Sequence, residues 1–457
     1  MNAAQIDHGP DKSAPPAAAG ESLETRLLRR ILQGVGNPNI ELVLWNGARL
    51  RPDGAHGEPL NRVIIKDRAT LYALMRDTQL HFGDAYSDGG LEIEGDLVQL
   101  LETAYRAASP DLRKGVLARL VERLHGGPRR TRQNTLAGSR ENIHHHYDIG
   151  NEFYSLWLGA TMAYTCAYYP QPDSTLDQAQ RAKFDHVCRK LWLQPGERVI
   201  EAGCGWGGLA LHMARHYGVK VRAFNISREQ VAWARERASA AGLADQVEFV
   251  EDDYRNIDGR CDAFVSVGML EHVGVENYAG LGEVIARCLE PRGRGLIHSI
   301  GRNRPAKLHP WIERRIFPGA QPPSLGEMMQ IFEPWDLSVL DVENLRLHYA
   351  LTLRHWLELY EANVDRVRRM FDERFVRMWR LYLAGSVAAF ETGTLQLFQV
   401  VFAPGQNNDL PLTRQHLRSD RRGNALLRHR DGIGGSRAPR RRAARARPAR
   451  SRGHGSL

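Results

Sequence analysis

The glycine-rich segment at residues 201–208 (EAGCGWGG) is the part of the chain most clearly suited to chemistry. It follows a short predicted strand at residues 198–200 and precedes a helix-like stretch that starts at Leu209. A strand, a glycine turn and a helix in this order are typical of nucleotide-type sites, because glycines permit close approach of a ligand and the helix offers free N–H groups. Glu201 could attract an ammonium group, so the turn indicates a cofactor with an amino-acid end. The alternative is a tight turn that binds nothing.

Two later segments strengthen this interpretation because they follow predicted strands. Asn225, Ser227 and Gln230 come after one strand, and residues 251–254 (EDDY) come after the next. Ligands of open α/β sheets bind at the carboxyl ends of the strands, so these side chains could contact a ribose and an adenine. Asn225 stands where generic sites of this kind carry a ribose-binding carboxylate.

Helix-like segments alternate with short β-branched strands between residue 142 and about residue 405. This alternation predicts βαβ units, and therefore an α/β fold of Rossmann-like type with a mostly parallel sheet. Strands are predicted at residues 197–201, 219–224, 247–250, 263–267, 295–298 and 395–402.

The preceding part of the chain reads as a separate, smaller α+β domain at residues 21–125. Strand-type runs occur at residues 41–45 and 62–65, an alternating glycine-punctuated stretch at 83–96, and a helical stretch at 97–106. No catalytic constellation is evident there. A disordered leader is expected at residues 1–20 and a polar linker at 126–141.

The charge of the chain is concentrated after residue 405. Thirteen arginines and two aspartates lie between Arg418 and Leu457, so this segment carries +11, and the rest of the chain carries −2 of the net +9. Residues 406–457 are therefore expected to be a disordered basic tail, which could attach to anionic lipid, bind nucleic acid nonspecifically, or only solubilise the chain.

The cysteines and the apolar runs indicate the compartment. Five scattered cysteines without a C-x-x-C pair favour a reducing environment and argue against a disulfide framework or a zinc site. No run approaches the roughly 20 apolar residues that span a bilayer, and no secretory signal is visible. We expect a cytoplasmic protein.

Eight ordered motifs carry a family resemblance. They are HYDIGNEFY at 146–154, YTCAYY at 164–169, GCGWGG at 203–208, NISREQ at 225–230, GMLEHVG at 268–274, HSIG at 298–301, IFPG at 316–319 and HYALTLRHW at 348–356. The chain resembles the cyclopropane-fatty-acyl-phospholipid synthases, a family that includes the mycolic acid cyclopropane synthases and related S-adenosylmethionine-dependent methyltransferases. The resemblance covers residues 142–405, and residues 21–125 resemble, less specifically, the additional N-terminal domain of the full-length bacterial enzymes.

The resemblance implies a class I methyltransferase fold with S-adenosylmethionine as cofactor. It also explains Asn225, because the family usually carries a Thr-Leu-Ser type sequence there with a downstream Gln. The predicted cofactor-binding residues are Tyr164, Thr165, Val199, Ile200, Glu201, Ala202, Gly203, Cys204, Gly205, Trp206, Gly207, Asn225, Ile226, Ser227, Arg228, Glu229, Gln230, Asp253, Tyr254 and Arg255.

The implied reaction adds a methylene group across a cis double bond of a phospholipid acyl chain. Methyl transfer to an alkene leaves a carbocation, so the site must exclude water and should offer aromatic faces. The candidate aromatic residues are Tyr147, Phe153, Tyr168, Tyr169 and Tyr349. Loss of a proton from the new methyl group then closes the ring.

The resemblance implies that a bicarbonate ion takes this proton. The matching positions are Cys166, Glu271, His298, Ile300 and Tyr349, with Cys166 and Ile300 contributing mainly through backbone groups. Taken singly, each of these residues would read as packing or as a satisfied polar group. Ser386 stands where many family members have a cysteine once proposed as a nucleophile, so a nucleophilic role there is doubtful.

Other functions stay open. Within the same fold, the enzyme could produce a methyl-branched acyl chain or methylate another small nucleophile. From another class, a noncatalytic protein could bind lipid or nucleic acid through the basic tail. The expected partner is phospholipid in the membrane, reached by transient peripheral contact with the inner face of the cytoplasmic membrane. No specific nucleic acid and no metal are expected, and a homodimer is left open.

Overall fold

The computed structural model describes residues 23–34, 38–52, 54, 56–107 and 149–417. The predicted leader, the predicted linker, His146, Tyr147 and the arginine-rich segment from residue 418 lie outside this part. The described chain up to Asp409 forms one compact unit.

The first part of the described chain is a four-stranded sheet with helices on it. Its elements are α1 (Leu23–Gly34), β1 (Ile40–Leu44), β2 (Arg49–Leu50), β3 (Asn61–Ile65), α2 (Arg68–Arg76), α3 (Thr78–Ser87), β4 (Leu91–Gly95) and α4 (Leu97–Ala107). The strand order is β2-β1-β3-β4, with β1 and β3 parallel and the two outer strands antiparallel to their neighbours. This is the α+β arrangement that the sequence predicts.

The alternating stretch at residues 83–96 contains two different elements. Residues up to Ser87 belong to α3, and β4 forms only over Leu91–Gly95. Asp77 supplies the physical reason, since its carboxylate accepts a hydrogen bond from the Leu80 backbone N–H at 3.2 Å and caps α3. The capped helix forms although the sequence alternates from Gly83 onwards. The helix places Gly83 against Trp311.

The second part holds a seven-stranded sheet. Its elements are α5 (Asn151–Ser155), α6 (Leu176–Lys190), β5 (Arg198–Ala202), α7 (Gly208–Tyr217), β6 (Lys220–Asn225), α8 (Arg228–Ala240), β7 (Val247–Glu251), β8 (Cys261–Val267), α9 (Tyr278–Cys288), β9 (Leu289–Gly301), α10 (Pro310–Arg315), α11 (Leu325–Met328), β10 (Leu337–Asn344), α12 (Arg346–Ala362), α13 (Val364–Met370), α14 (Glu373–Glu391) and β11 (Gln396–Pro404). All six predicted strands are present, which confirms the α/β class.

The strand order is β10-β11-β9-β8-β5-β6-β7. Strands β5 to β9 are parallel to one another, whereas β11 is antiparallel to both β9 and β10. The chain leaves β5 towards β6 on one side and later returns to β8 on the other. The carboxyl ends of β5 and β8 therefore mark the switch point where open α/β sheets bind ligands.

The two parts are joined by helix packing and by ion pairs. Helices α3 and α4 pack on α14. Asp84 of α3 pairs with Arg315 at 3.0 Å, and Arg374 pairs with Asp88 at 2.5 Å. The Arg377 side chain donates hydrogen bonds to the backbone oxygens of Tyr86 and Leu91. These contacts hold the N-terminal helices against the helix that precedes the last strand.

The folded part extends past residue 405, where the tail was predicted to start. Asn407 is buried, and its side-chain amide donates to the Gly293 backbone oxygen at 2.9 Å. No helix in the described ranges is long and apolar enough to cross a membrane.

Candidate active site

The glycine turn joins β5 to α7 with three left-handed residues. Gly203, Gly205 and Gly207 have φ values of +82°, +53° and +77°. A Cβ atom at Gly207 would lie 2.6 Å from the Phe249 ring, whereas nothing lies within 4 Å of a Cβ at Gly205. Gly207 is therefore required by packing, and Gly205 faces the space that a ligand can enter.

Glu201 is the second-last residue of β5 and comes two residues before Gly203. It is 2% exposed, and its Oε2 has no hydrogen-bond partner. Burial raises the pKa of this carboxyl to about 8, while the nearby ammonium group of Lys183 opposes the shift. A buried carboxyl with an open oxygen fits the ammonium group of an amino-acid end, because the positive charge would restore the ionised form.

The end of β6 presents amide groups in place of a carboxylate. Asn225 Nδ2 donates to Gln230 Oε1 at 2.7 Å, and Ser227 caps α8. This pairing leaves Gln230 Nε2 buried and without a partner. An amide donor at this position suits a ribose hydroxyl. Arg228 and Glu229, which were predicted with this group, are exposed.

The end of β7 is held by an internal ion pair. Asp253 is 2% exposed, and its carboxylate accepts from the Arg255 backbone N–H at 2.9 Å and from the Arg255 side chain at 3.0 Å. The Arg255 guanidinium lies 4.8 Å from the centre of the Tyr254 ring. Asp253 therefore shapes this loop.

Lys183 is a buried cation that the sequence analysis missed. It lies on α6, is 2% exposed, and donates to Thr165 Oγ1 at 2.8 Å. Burial lowers its pKa to about 8, against the stabilising charge of Glu201. A usable signal was present, because Gln180, Lys183 and His186 recur at helical spacing on the apolar face of α6.

The five residues predicted to hold the proton acceptor meet in one cavity of about 1180 Å³. The cavity exceeds the roughly 300–1,000 Å³ of ordinary small-molecule sites. It also contains Tyr164, Thr165 and Ser386. The five are Cys166, Glu271, His298, Ile300 and Tyr349.

Glu271 lies in a short 3₁₀ helix (Leu270–His272) that follows β8. Its Oε1 accepts a hydrogen bond of 2.6 Å from the Ile300 backbone N–H, and its Oε2 is buried without a partner. Burial raises the pKa of Glu271 to about 7. The Ile300 backbone group thus positions Glu271.

His298 is a buried, neutral imidazole on β9. Gln399 Nε2 on β11 lies 3.0 Å from His298 Nδ1 and donates to it, which puts the ring proton on Nε2. Burial lowers the His298 pKa well below its ordinary value, and the charges of Lys183 and Lys190 lower it further. His298 Nε2 has no partner, so it can donate one hydrogen bond.

Cys166, Tyr349 and Ser386 complete the wall. Cys166 is fully buried, and burial raises its pKa, so the group is a neutral thiol. Tyr349 lies in the first turn of α12, with its ring centre 4.6 Å from that of Phe390. Ser386 Oγ donates to the Tyr382 backbone oxygen at 2.8 Å, which occupies its proton.

The aromatic lining differs from the prediction. Phe153, Tyr168 and Tyr169 do not line the cavity: Phe153 packs against Trp379, and Tyr168 stacks on His186. Only Tyr349 among the predicted aromatic residues that the structure describes has its expected place. The rings that do line it include Phe82, Tyr105, Tyr164, Trp311, Phe317, Tyr382 and Phe390.

The N-terminal part contributes wall residues to this cavity, although its sequence shows no catalytic constellation. Thr78, Phe82 and Gly83 of α3 and Leu101 and Tyr105 of α4 lie in the wall. No motif marks them, because they are ordinary helix residues whose role depends on docking. Among the described residues, no group of three or more potential ligands could hold a metal ion.

Comparisons with known proteins agree with this fold. The family model described as mycolic acid cyclopropane synthetase matches residues 134–400, and a domain of unknown function matches residues 27–115. A probable fatty acid methyltransferase of Pseudomonas putida is 38% identical over 392 residues, covering 83% of this chain and 96% of the relative. The cyclopropane-fatty-acyl-phospholipid synthase of Escherichia coli K12 is 41% identical over 270 residues, covering 59% of this chain and 69% of the relative.

Solved structures agree as well. Mycolic acid cyclopropane synthase CmaA1 complexed with SAH and CTAB is 29% identical, with a TM-score of 0.55 over 57% of this chain and 97% of that one. The cyclopropane synthase MmaA2 from Mycobacterium tuberculosis is 27% identical, with a TM-score of 0.55 over 58% and 98%.

The fold and the site define an S-adenosylmethionine-dependent methyltransferase with a class I fold. More narrowly, the chain belongs to the mycolic acid cyclopropane synthetase family, because that model covers more than half of it. The predicted family, fold, enzyme class and methyl donor are confirmed. The assignments of individual site residues stay predictions.

Proposed function

We propose that this enzyme adds a methylene group across a cis double bond of a phospholipid acyl chain and produces a cyclopropane fatty acid. The observation that carries the proposal is the pair of open polar atoms, Glu271 Oε2 and His298 Nε2, in the wall of a largely apolar cavity. Methyl transfer to an alkene leaves a cation that must lose a proton, and these two atoms can hold the base that takes it.

The methyl donor, when bound, supplies an electrophilic carbon. The residues of this chain position it: Glu201 meets its ammonium group, Gln230 its ribose, and the backbone at Gly205 leaves room for its chain. Tyr164 and Thr165 lie both among the predicted donor contacts and in the cavity wall. They therefore mark the point where methyl donor and acyl chain meet.

The cavity walls protect a cation on the acyl chain. Apolar walls exclude water, which would otherwise convert the cation into an alcohol. Tyr164 and Tyr382 share a hydrogen bond of 2.8 Å between their hydroxyl groups, which fixes both side chains at the cavity. Aromatic faces held in this way stabilise a nearby positive charge.

A bicarbonate ion fits the open polar atoms as the proton acceptor. His298 Nε2–H can donate to one of its oxygens, and ionised Glu271 can accept its hydroxyl proton through Oε2. Neutral His298 and a thiol at Cys166 avoid any competing charge. When bound, bicarbonate would supply the base that removes a proton from the transferred methyl group.

A second candidate is the methyl-branched product. The relative from Pseudomonas putida, which matches along 96% of its own length, is named a probable fatty acid methyltransferase. The same cavity could serve that reaction if the cation rearranges along the chain before a proton is lost.

Vesicles of cis-unsaturated phospholipid, incubated with S-adenosylmethionine, test the proposal. We expect a gain of one CH₂ per modified chain with loss of the double bond, and faster turnover when bicarbonate is added to degassed buffer. Vesicles of saturated phospholipid are the control. Unchanged fatty acids, with both cofactors present, would rule the proposal out.

A further inference from the structure

The charged residues that line the cavity are unequally distributed. Its lining includes the cations Arg106, Arg302, Arg304 and Lys307, whereas Glu271 is the only acidic residue among the described lining residues. Three of the cations lie in the loop after β9, and Arg106 lies near the end of α4. Arg106, Arg304 and Lys307 are exposed, so the mouth of the cavity is basic on this side.

Arg302 differs from the other three because it lies in the wall itself. It is half-buried, and its Nε is buried without a hydrogen-bond partner. Within the described ranges, no carboxylate forms an ion pair of 4.0 Å or less with its guanidinium. Arginine stays protonated in proteins, and an unpaired charge in such surroundings is costly. An anion at Arg302 would remove this cost.

The acid that acts on Arg302 at longer range is already engaged. Burial lowers the pKa of Arg302, and the charge of Glu327 opposes this shift. The Glu327 Oε2 atom accepts hydrogen bonds of 2.7 and 2.9 Å from the Ser324 backbone N–H and hydroxyl. This capping box fixes Glu327 at the start of α11, away from an ion pair with Arg302.

Two neutral groups flank Arg302. Tyr105 of α4 interacts with it electrostatically, and burial keeps the Tyr105 hydroxyl protonated by raising its pKa. Burial and the charge of Arg302 together lower the pKa of His309 to about 4, and its Nδ1 is buried without a partner. A cation thus shares the cavity wall with two uncharged polar side chains that interact with it.

We propose that Arg302, flanked by Tyr105 and His309, binds the phosphodiester group of the phospholipid whose acyl chain enters the cavity. The guanidinium fork matches two phosphate oxygens, and the Tyr105 hydroxyl offers a further donor. Exposed Arg304 and Lys307 attract an anionic surface, while Arg302 recognises one lipid molecule. This inference rests on the proposed function and adds a headgroup site to it.

Turnover of two substrates by the full-length enzyme tests the site. The first is unsaturated phosphatidylcholine in vesicles, which carries a phosphodiester without net surface charge. The second is the methyl ester of the same fatty acid in neutral detergent. Arg302→Gln should raise the KM for phosphatidylcholine roughly tenfold or more with little change in kcat, which corresponds to a lost charged hydrogen bond. Arg302→Lys should give an intermediate KM for phosphatidylcholine. With the methyl ester, the wild type and both variants should have similar KM values.

Other outcomes overturn the proposal. Equal losses on both substrates would show a structural role, and an unchanged KM would remove Arg302 from recognition. If inorganic phosphate shifts the melting temperature of the wild type but the KM for phosphatidylcholine is unaffected by the variant, the site binds free phosphate only. Arg292→Gln is the matched control, because this arginine is exposed and does not line the cavity.

A binding measurement separates this inference from the proposed function. Calorimetry with short-chain phosphatidylcholine should give tighter binding to the wild type than to Arg302→Gln, whether or not turnover occurs. If the affinity difference is observed but no modified lipid is formed, only the proposed function is contradicted. Equal affinities would contradict the headgroup site.

Discussion

At the scale of single residues, burial shifts the pKa values of two cavity residues in opposite directions. It raises the pKa of Glu271 to about 7 and lowers that of His298 well below its usual value. Both shifts favour the neutral form, but only Glu271 titrates near physiological pH. The carboxylate form is the one that can accept a proton from a bound bicarbonate.

The pH dependence of turnover follows from this sign. At fixed bicarbonate, kcat/KM should rise as the pH increases through about 7, because Glu271 then loses its proton. Glu271→Gln should lower turnover roughly 100-fold and abolish the rise of kcat/KM near pH 7. Its affinity for the methyl donor should be unchanged. Glu283→Gln, an exposed residue of α9, is the control. An unchanged profile in Glu271→Gln would exclude Glu271 as the titrating group.

Ser386 provides a second prediction at this scale. Its hydroxyl donates to the Tyr382 backbone oxygen one turn earlier on α14, so it offers no activated nucleophile. Ser386→Ala should change turnover by less than about twofold, because the lost hydrogen bond stabilises the fold by about 1 kcal/mol and takes no part in the reaction. A large loss of kcat with normal folding would show that this hydroxyl takes part in the chemistry.

At the scale of elements, the glycine turn separates folding from binding. A Cβ at Gly207 would meet the Phe249 ring at 2.6 Å and the Ala234 Cβ at 2.9 Å, whereas a Cβ at Gly205 meets nothing within 4 Å. Both residues have positive φ, so both alanine variants carry some backbone strain.

The two alanine variants should therefore behave differently. Gly207→Ala should lower the free energy of unfolding by about 1–3 kcal/mol or more through overpacking. Gly205→Ala should fold with a smaller loss but bind S-adenosylmethionine more weakly, because the added methyl group takes the ligand's space. Thermal melts with and without the donor measure both effects. Equal loss of stability in the two variants would contradict the assignment of Gly205 to the ligand face.

The elements of the parallel sheet could be predicted from sequence because each strand has local apolar, β-branched residues. Strand β10 could not, since its residues are largely exposed and its pairing with β11 is a long-range contact. Helix α3 was masked by an alternating pattern, although Asp77 marked its start. The site residues that lie in short sequence motifs could also be predicted. Lys183 and Gln399 could not, because their roles depend on contacts with Thr165 and His298, which lie in other elements or segments of the chain.

At the scale of the whole molecule, the active-site cavity depends on two parts of the chain. Helices α3 and α4 supply part of the wall, and α14 and the loop after β9 supply other parts of it. No sequence pattern revealed this, because wall residues such as Phe82, Leu101 and Leu381 would read as core in either part. The N-terminal part is therefore a component of the site.

Gly83 tests this dependence. A Cβ at Gly83 would lie 2.4 Å from the Trp311 ring, so the α3–α10 contact needs a glycine, whereas Gly385 on α14 has only Leu101 at 3.9 Å. Gly83→Ala should displace Trp311, lower stability by about 1–3 kcal/mol and reduce turnover of phospholipid. Gly385→Ala should retain stability. Full activity of Gly83→Ala would show that the cavity does not depend on this docking.

The most direct test of the central claim uses S-adenosylmethionine with a deuterated methyl group and vesicles of cis-unsaturated phospholipid. Mass analysis and proton NMR of the released fatty acids then follow the fate of the methyl group. The account predicts a cyclopropane ring whose new carbon keeps two deuterium atoms, because one is removed by the base held at Glu271 and His298. A product that keeps all three as a methyl branch, or no labelled product at all, would contradict it.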